Sequence, residues 1–193
     1  MVRNQLGLKR PTRAEGLAAQ LAMLSEPMRE AVLAACDAYA ALGVPYALVG
    51  ALAAGALGRP RFTKGVDFLV GGEAFVRHGL VVSFAKLMPV QAGELAIDAI
   101  PLPEQSRRKA ILSQALAMAE IDETTGRRVP MLAATWLAYM KLASPRGKDR
   151  DDIVGMMQAG TVDRDALTRA VEGDGELEAR LAEALRELAL ADE

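Results

Sequence analysis

The sequence predicts an α/β (α+β) fold, a mixed sheet flanked by helices and followed by a helical C-terminal region. Three observations lead there. Short apolar runs bounded by Gly or Pro recur at Tyr46–Val49, Val66–Val70 and Glu94–Ile100, the pattern of strands in a covered sheet. Between them, apolar residues recur at helical spacing, as in Met28, Val32, Ala35, Cys36 and Tyr39. From Ile153 onward only helical patterns remain. With 193 residues, 51% of them hydrophobic, the chain can bury a sizeable core. The expected division is a basic N-terminal arm and helix over 1–26, an α/β core over 27–132, and a helical region over 133–193 packed on that core.

Taken in order, Arg3, Lys9, Arg10 and Arg13 make the first 13 residues a basic arm. Helices follow over roughly 14–24 and 27–42; the second opens at Ser25-Glu26-Pro27 and closes at Gly43-Val44-Pro45. The strand Tyr46–Val49 breaks at Gly50, and an uncharged Ala-rich helix runs to Leu57. A Gly58-Arg59-Pro60-Arg61 turn then leads into the strand Val66–Val70. Beyond Gly71-Gly72 come a short helix over 73–78, a strand over 80–84 and the strand Glu94–Ile100. A helix is expected over 104–114 and a hairpin of 117–121 with 128–131 around Gly126. The rest reads as a helix over 133–143, a charged run over 144–153, and helices over 153–158, 163–171 and 176–190. The last carries Leu177, Leu181, Leu185 and Leu188 on one face, to pack on neighbouring helices or on a partner subunit.

Composition excludes several functions. A net charge of −2 argues against a general nucleic-acid-coating protein, though a local basic rim remains compatible. A single cysteine, Cys36, rules out a disulfide framework and a Cys-based zinc site, and its apolar setting reads as packing. The lone histidine, His78, has no partner for a His- or Cys-based dyad and reads as a surface or capping residue. Residues 38–58 carry no charge and are long enough for a bilayer, but Gly43, Pro45, Gly50 and Gly55 interrupt them. A buried core, no membrane, and a cytoplasmic protein are expected.

The chemistry concentrates in residues 46–70. Gly50, at a strand-to-helix switch, would let backbone N–H groups approach a phosphate, and the helix N-terminus favours negative charge. Asp67 interrupts an apolar strand, where a carboxylate is costly unless a metal or cation meets it. The same residues also fit a tight turn with Asp67 paired to Arg59 or Arg61. Asp98, flanked by Ile97 and Ile100, is a second carboxylate in a strand; alone it equally suits a cap on the loop into Pro101.

This stretch resembles the signature of the DNA polymerase β-like nucleotidyltransferase superfamily, most closely the small bacterial branch that includes AbiEii-type toxins of toxin–antitoxin systems. The resemblance runs through Val49-Gly50-Ala51, Gly58-Arg59-Pro60-Arg61, Thr63-Lys64 and Val66-Asp67-Phe68-Leu69-Val70. It continues in Lys141, Arg146, Lys148, Asp149 and Asp152, a run that by composition alone reads as a solvated helix start capped by Asp149. The resemblance covers roughly residues 40–160 and implies transfer of a nucleotidyl group from an NTP to a hydroxyl of an RNA, a protein or a small molecule. It implies Asp67 and Asp98 as catalytic and metal-binding residues. Gly50, Ala51, Arg61, Thr63 and Lys141 are implied as nucleotide-binding, with Lys141 nearest the triphosphate.

Two departures stand out. Ala51 replaces the family's Gly or Ser, and Gly65 replaces the first Asp of its Asp-x-Asp pair. Residues 65 and 67 of a strand share a face, so an Asp at each would complete the usual two-Mg²⁺ clamp. With Gly65 the expectation is one weak Mg²⁺ ion on Asp67 and Asp98 and weakened transfer. The alternative is a catalytically degenerate module that binds a nucleotide or a protein partner, as in a toxin–antitoxin-like system, or a homo-oligomer.

Overall fold

A computed structural model describes residues 12–63, 65–71, 96–123, 125–144 and 146–191. The sheet begins with β1 (Tyr46–Val49), whose four residues are all buried. On one side β1 pairs antiparallel with β2 (Gly65–Val70), which pairs in parallel with β3 (Ala96–Pro101). On the other, β1 pairs in parallel with β5 (Val129–Met131), which pairs antiparallel with the edge strand β4 (Glu120–Asp122). The order β3-β2-β1-β5-β4 is a mixed five-stranded sheet. A continuous apolar run suits β1 because it lies at the centre and is covered on both faces.

Helices cover this sheet. α1 (Arg13–Ala22) opens with a capping box: the Glu15 N–H donates to the Thr12 hydroxyl at 3.2 Å, and the Thr12 N–H to the Glu15 carboxylate at 2.6 Å. Its Leu17 and Leu21 are buried, and Gly16 lies so close to α3 (Gly50–Leu57) that a methyl there would strike the Ala56 carbonyl. α2 (Glu26–Ala41) begins with Pro27 in its first turn and buries the face predicted from spacing, including Val32, Ala35, Cys36 and Tyr39. Tyr39 stacks on Tyr46 with ring centres 5.1 Å apart and meets Phe68 at 5.3 Å. Burial pushes the Cys36 thiol up to about 12, with the neighbouring charge of Asp37 adding to it, so the thiolate is not formed at neutral pH.

After β3 come α4 (Ser106–Ala117), the β4–β5 hairpin, α5 (Ala134–Leu142), α6 (Gly147–Gln158), α7 (Arg164–Val171) and α8 (Gly175–Ala191). The C-terminal helices join the same core as the sheet through Leu137, Ile153, Met156, Leu167 and Leu177. On α8, Leu177, Leu181 and Leu188 are buried, whereas Leu185 is exposed. The Thr161 hydroxyl donates to the Leu57 carbonyl at 2.8 Å, tying the loop after α6 to the end of α3. Among the described residues no helix is long and apolar enough to cross a membrane.

Several boundaries move from their predicted places. α6 starts at Gly147, not at residue 153, because its first turn is polar and gives no apolar periodicity to read. Ala117, expected in the hairpin, closes α4, and β4 starts at Glu120. The helix expected over 73–78 with His78, the strand over 80–84, residues 94–95, Lys64 and the arm over 1–11 lie outside the described residues.

Candidate functional site

β2 and β3 bring the two strand carboxylates together. They pair in parallel with Asp67 directly opposite Asp98, and Gly65 opposite Ala96. Opposed residues on neighbouring strands stand about 4.8 Å apart and project to the same face. That face is a cleft of about 260 Å³, lined by Asp67 and by Ile100, two residues along β3 from Asp98. Its other walls are the start of α3 (Gly50 and Ala51), Arg61, the end of α5 with Lys141, and the start of α6 with Arg146 and Lys148.

Gly50 is bound up with Asp67. Its φ is +65°, in the left-handed region that favours glycine, and a methyl there would sit 2.6 Å from the Asp67 Cγ. The first turn of α3 therefore lies against the carboxylate, and the nearby Ala51 N–H favours its charged form. Asp67 thus packs against the helix end at which a phosphate was expected. Burial holds the Asp67 carboxyl above its usual range, and the negative charge of Asp98 pushes it further. Lys141, Arg146 and the Ala51 N–H oppose this without cancelling it.

The opposite wall is a buried ion network. Lys141, only 7% exposed, places Nζ 2.7 Å from Asp149 Oδ1 and 2.8 Å from Asp152 Oδ2. Arg61 grips Asp152 with two parallel hydrogen bonds, Nε and one terminal nitrogen each at 2.9 Å. Asp149 also accepts from the Ser144 hydroxyl at 2.5 Å and faces Arg146 at 3.2 Å. Burial would raise the Asp149 carboxyl. The hydrogen bonds from Lys141 and Ser144, with the charges of Lys141 and Arg146, outweigh it and hold the carboxyl below its usual range. Asp149 is therefore no solvated cap: it is 5% exposed, inside the first turn of α6, facing α5.

Gln20, a residue the sequence did not single out, fixes the Arg61 loop. Fully buried, its side-chain amide donates to the Arg61 carbonyl at 2.5 Å and accepts from the Arg61 N–H at 3.2 Å. Gly55 makes room for it, since a methyl there would come 2.7 Å from the Gln20 Cδ. Thr63 turns its hydroxyl to the Gly65 carbonyl at 2.8 Å, shaping the entry to β2. Of the predicted site residues, the cleft gathers Gly50, Ala51, Arg61, Asp67 and Lys141; Asp98 stands beside it on the shared face, and Thr63 serves the loop backbone.

Two adjacent carboxylates are a donor set that a divalent cation suits, because the ion would remove their repulsion. Gly65 contributes no ligand, and among the described residues no group of three or more His, Cys, Asp or Glu side chains converges on one point.

No protein-family model and no curated protein sequence matches this chain. A solved structure does. The crystal structure of an antigenic nucleotidyltransferase-like protein from Paracoccidioides brasiliensis superposes with a TM-score of 0.56 at 17% sequence identity, over 84% of this chain and 88% of that one. The fold is nucleotidyltransferase-like. In this α+β nucleotidyltransferase-like frame, the cleft lies where β1 hands over to α3, alongside the first half of β2.

Proposed function

We propose that the chain binds an NTP in this cleft and transfers its nucleotidyl group to a hydroxyl acceptor, an RNA or a protein, with a rate weakened by Gly65. The observation that carries this reading is the register of Asp67 against Asp98 on the cleft face, opposite the cationic wall of α5 and α6. In this reading Asp67 and Asp98 hold a single Mg²⁺, which would supply charge neutralisation at the phosphates and activation of the acceptor hydroxyl. Gly50 and Ala51 bring backbone N–H groups to the nucleotide, and Arg146 and Lys148 provide positive potential, with Lys141 and Arg61 behind them neutralised by Asp149 and Asp152. With Gly65 in place of a third carboxylate, the second ion of a two-metal site has too few ligands. The resemblance of residues 49–70 and 141–152 to the AbiEii-type motifs makes a role in a toxin–antitoxin-like system part of this reading.

One observation favours a second reading, a nucleotide- or protein-binding module without turnover. Asp67 is packed tightly against the start of α3, so it must shift to serve a metal fully. Incubation with α-labelled NTPs, total RNA and Mg²⁺ separates the two. Slow, Mg²⁺-dependent labelling of RNA or protein that Asp98→Ala abolishes supports the enzyme. Thermal stabilisation by Mg²⁺–NTP without labelling supports the binding module. No stabilisation and no labelling would discard both.

A further inference from the structure

Among the described residues four cations line the cleft, and they differ in what already holds them. Building on the reading that the cleft takes an NTP, we infer that Lys148, assisted by Arg146, receives the polyphosphate tail, and that Lys141 is a positioning residue fastening α6 to α5.

Charge and burial separate the four. Lys141 and Arg61 face Asp149 and Asp152, two positive charges against two negative, within hydrogen-bonding distance. Drawing Lys141 onto a phosphate would leave two almost fully buried carboxylates short of a partner, which costs more than one phosphate contact returns. Arg61 is held at three points: its side chain on Asp152, and its N–H and carbonyl on Gln20. Neither is at liberty. Arg146 meets Asp149 at 3.2 Å, but its side chain is 66% exposed and can turn outward at little cost. Lys148 is exposed and has no ion pair among the described residues. It lies on the first turn of α6, whose N-cap residue, Arg146, makes no side-chain cap, so uncapped backbone N–H groups stand with the two side chains. The cleft is thereby polarised. Asp67 and Asp98 form its acidic end on the sheet, Lys148 and Arg146 its cationic end on α6, and a polyphosphate runs from the first to the second. In this arrangement Lys141 acts on the ligand only through α6, by keeping its first turn at the cleft.

The test is calorimetric titration of the full chain with inorganic tripolyphosphate and, separately, with Mg²⁺–ATP. Lys148→Ala should weaken both about tenfold, the loss of one charge-assisted contact, and flatten the salt dependence of binding. Its melting temperature should stay at the parent value, and Lys148→Arg should restore affinity. Lys141→Met should lower the melting temperature, yet below that temperature bind tripolyphosphate within about threefold of the parent with the same salt slope. If Lys141→Met does not fold, Lys141→Arg carries the question, since a guanidinium can keep the contacts to Asp149 and Asp152. Parent-like binding by Lys148→Ala overturns the assignment, as does loss of binding in a Lys141 variant that melts cooperatively near the parent temperature. A parent protein that binds neither probe removes the NTP reading itself.

Discussion

Replacing Gly50 by alanine tests the contact on which the site is built. The methyl would arrive 2.6 Å from the Asp67 Cγ and 2.8 Å from its Cβ, so the carboxylate must swing away from the Ala51 N–H. Alanine at a φ of +65° costs about 1–2 kcal/mol by itself. Forcing the buried carboxylate aside adds about 1–3 kcal/mol, as overpacking does, and part of this returns as Asp67 regains water. The net loss should be about 2–4 kcal/mol, or about 5–15 °C in melting temperature for a chain of this size. Gly43 supplies the control. Its φ is +64° with nothing within 4 Å of a new methyl, so Gly43→Ala should show the backbone cost alone, about 1–2 kcal/mol. Urea unfolding of both variants, and of each combined with Asp67→Ala, completes the comparison. In the Asp67→Ala background the Gly50 cost should fall but stay above that of Gly43, because the carboxyl is gone while the Cβ, 2.8 Å from the new methyl, remains. If Gly50→Ala costs no more than Gly43→Ala while Asp67 is present, the carboxylate does not rest on the α3 start and the site geometry is wrong.

Three further outcomes follow from the same contacts. Because the Asp67 carboxyl lies above its usual range in the folded protein, the native state holds that proton more tightly than the unfolded chain. Asp67 therefore contributes stability at low pH that is lost as pH rises through the window from about 3.9 to the raised value. Asp67→Asn should be the more stable protein above that window and should lose any Mg²⁺ stabilisation; urea midpoints from pH 3 to 8 that track the parent at every pH would count against it. Gly65→Asp adds a third carboxylate on the face of Asp67. It should melt lower than the parent in EDTA through repulsion and desolvation, and gain more from Mg²⁺ plus NTP; equal metal responses would mean position 65 does not face a metal site. Gln20→Ala strands the Arg61 N–H and carbonyl and should cost about 2–4 kcal/mol, with faster amide exchange confined first to residues 59–63; slow exchange there would show that another group holds the loop.

What could be read from the sequence divides by range. β1, α3 and β2 were legible because local signals agree: an apolar run, a glycine break, an uncharged helix, a Pro turn, a second apolar run. Asp67 and Asp98 stood out because each interrupts an apolar strand, and the parallel register of β2 and β3 then sets them face to face. The ion network was hidden. In residues 144–153 charges of both signs alternate as they do on a solvated face, and only the docking of α6 onto α5 and the Arg61 loop turns Asp149 and Asp152 inward. The start of α6 escaped for the same reason. Gln20 gave no signal at all, being one polar residue on an Ala-rich helix whose partner lies 41 positions away. The Asp67 contact with Gly50 needs the antiparallel register of β1 and β2, which no single stretch contains.

The quartet of Arg61, Lys141, Asp149 and Asp152 also governs how such a sequence can drift. Losing any one member leaves a charge uncompensated in a mostly dry place, at about 3–5 kcal/mol, a large share of the stability a domain of this kind holds. Exchanging the whole set for apolar residues of matching volume can be neutral. Between those two states lies a barrier that single substitutions do not cross. A descendant of this chain should therefore carry all four charges or have lost them in concert, and lineages in which the cleft changed its use would still inherit the quartet as long as α6 stays docked.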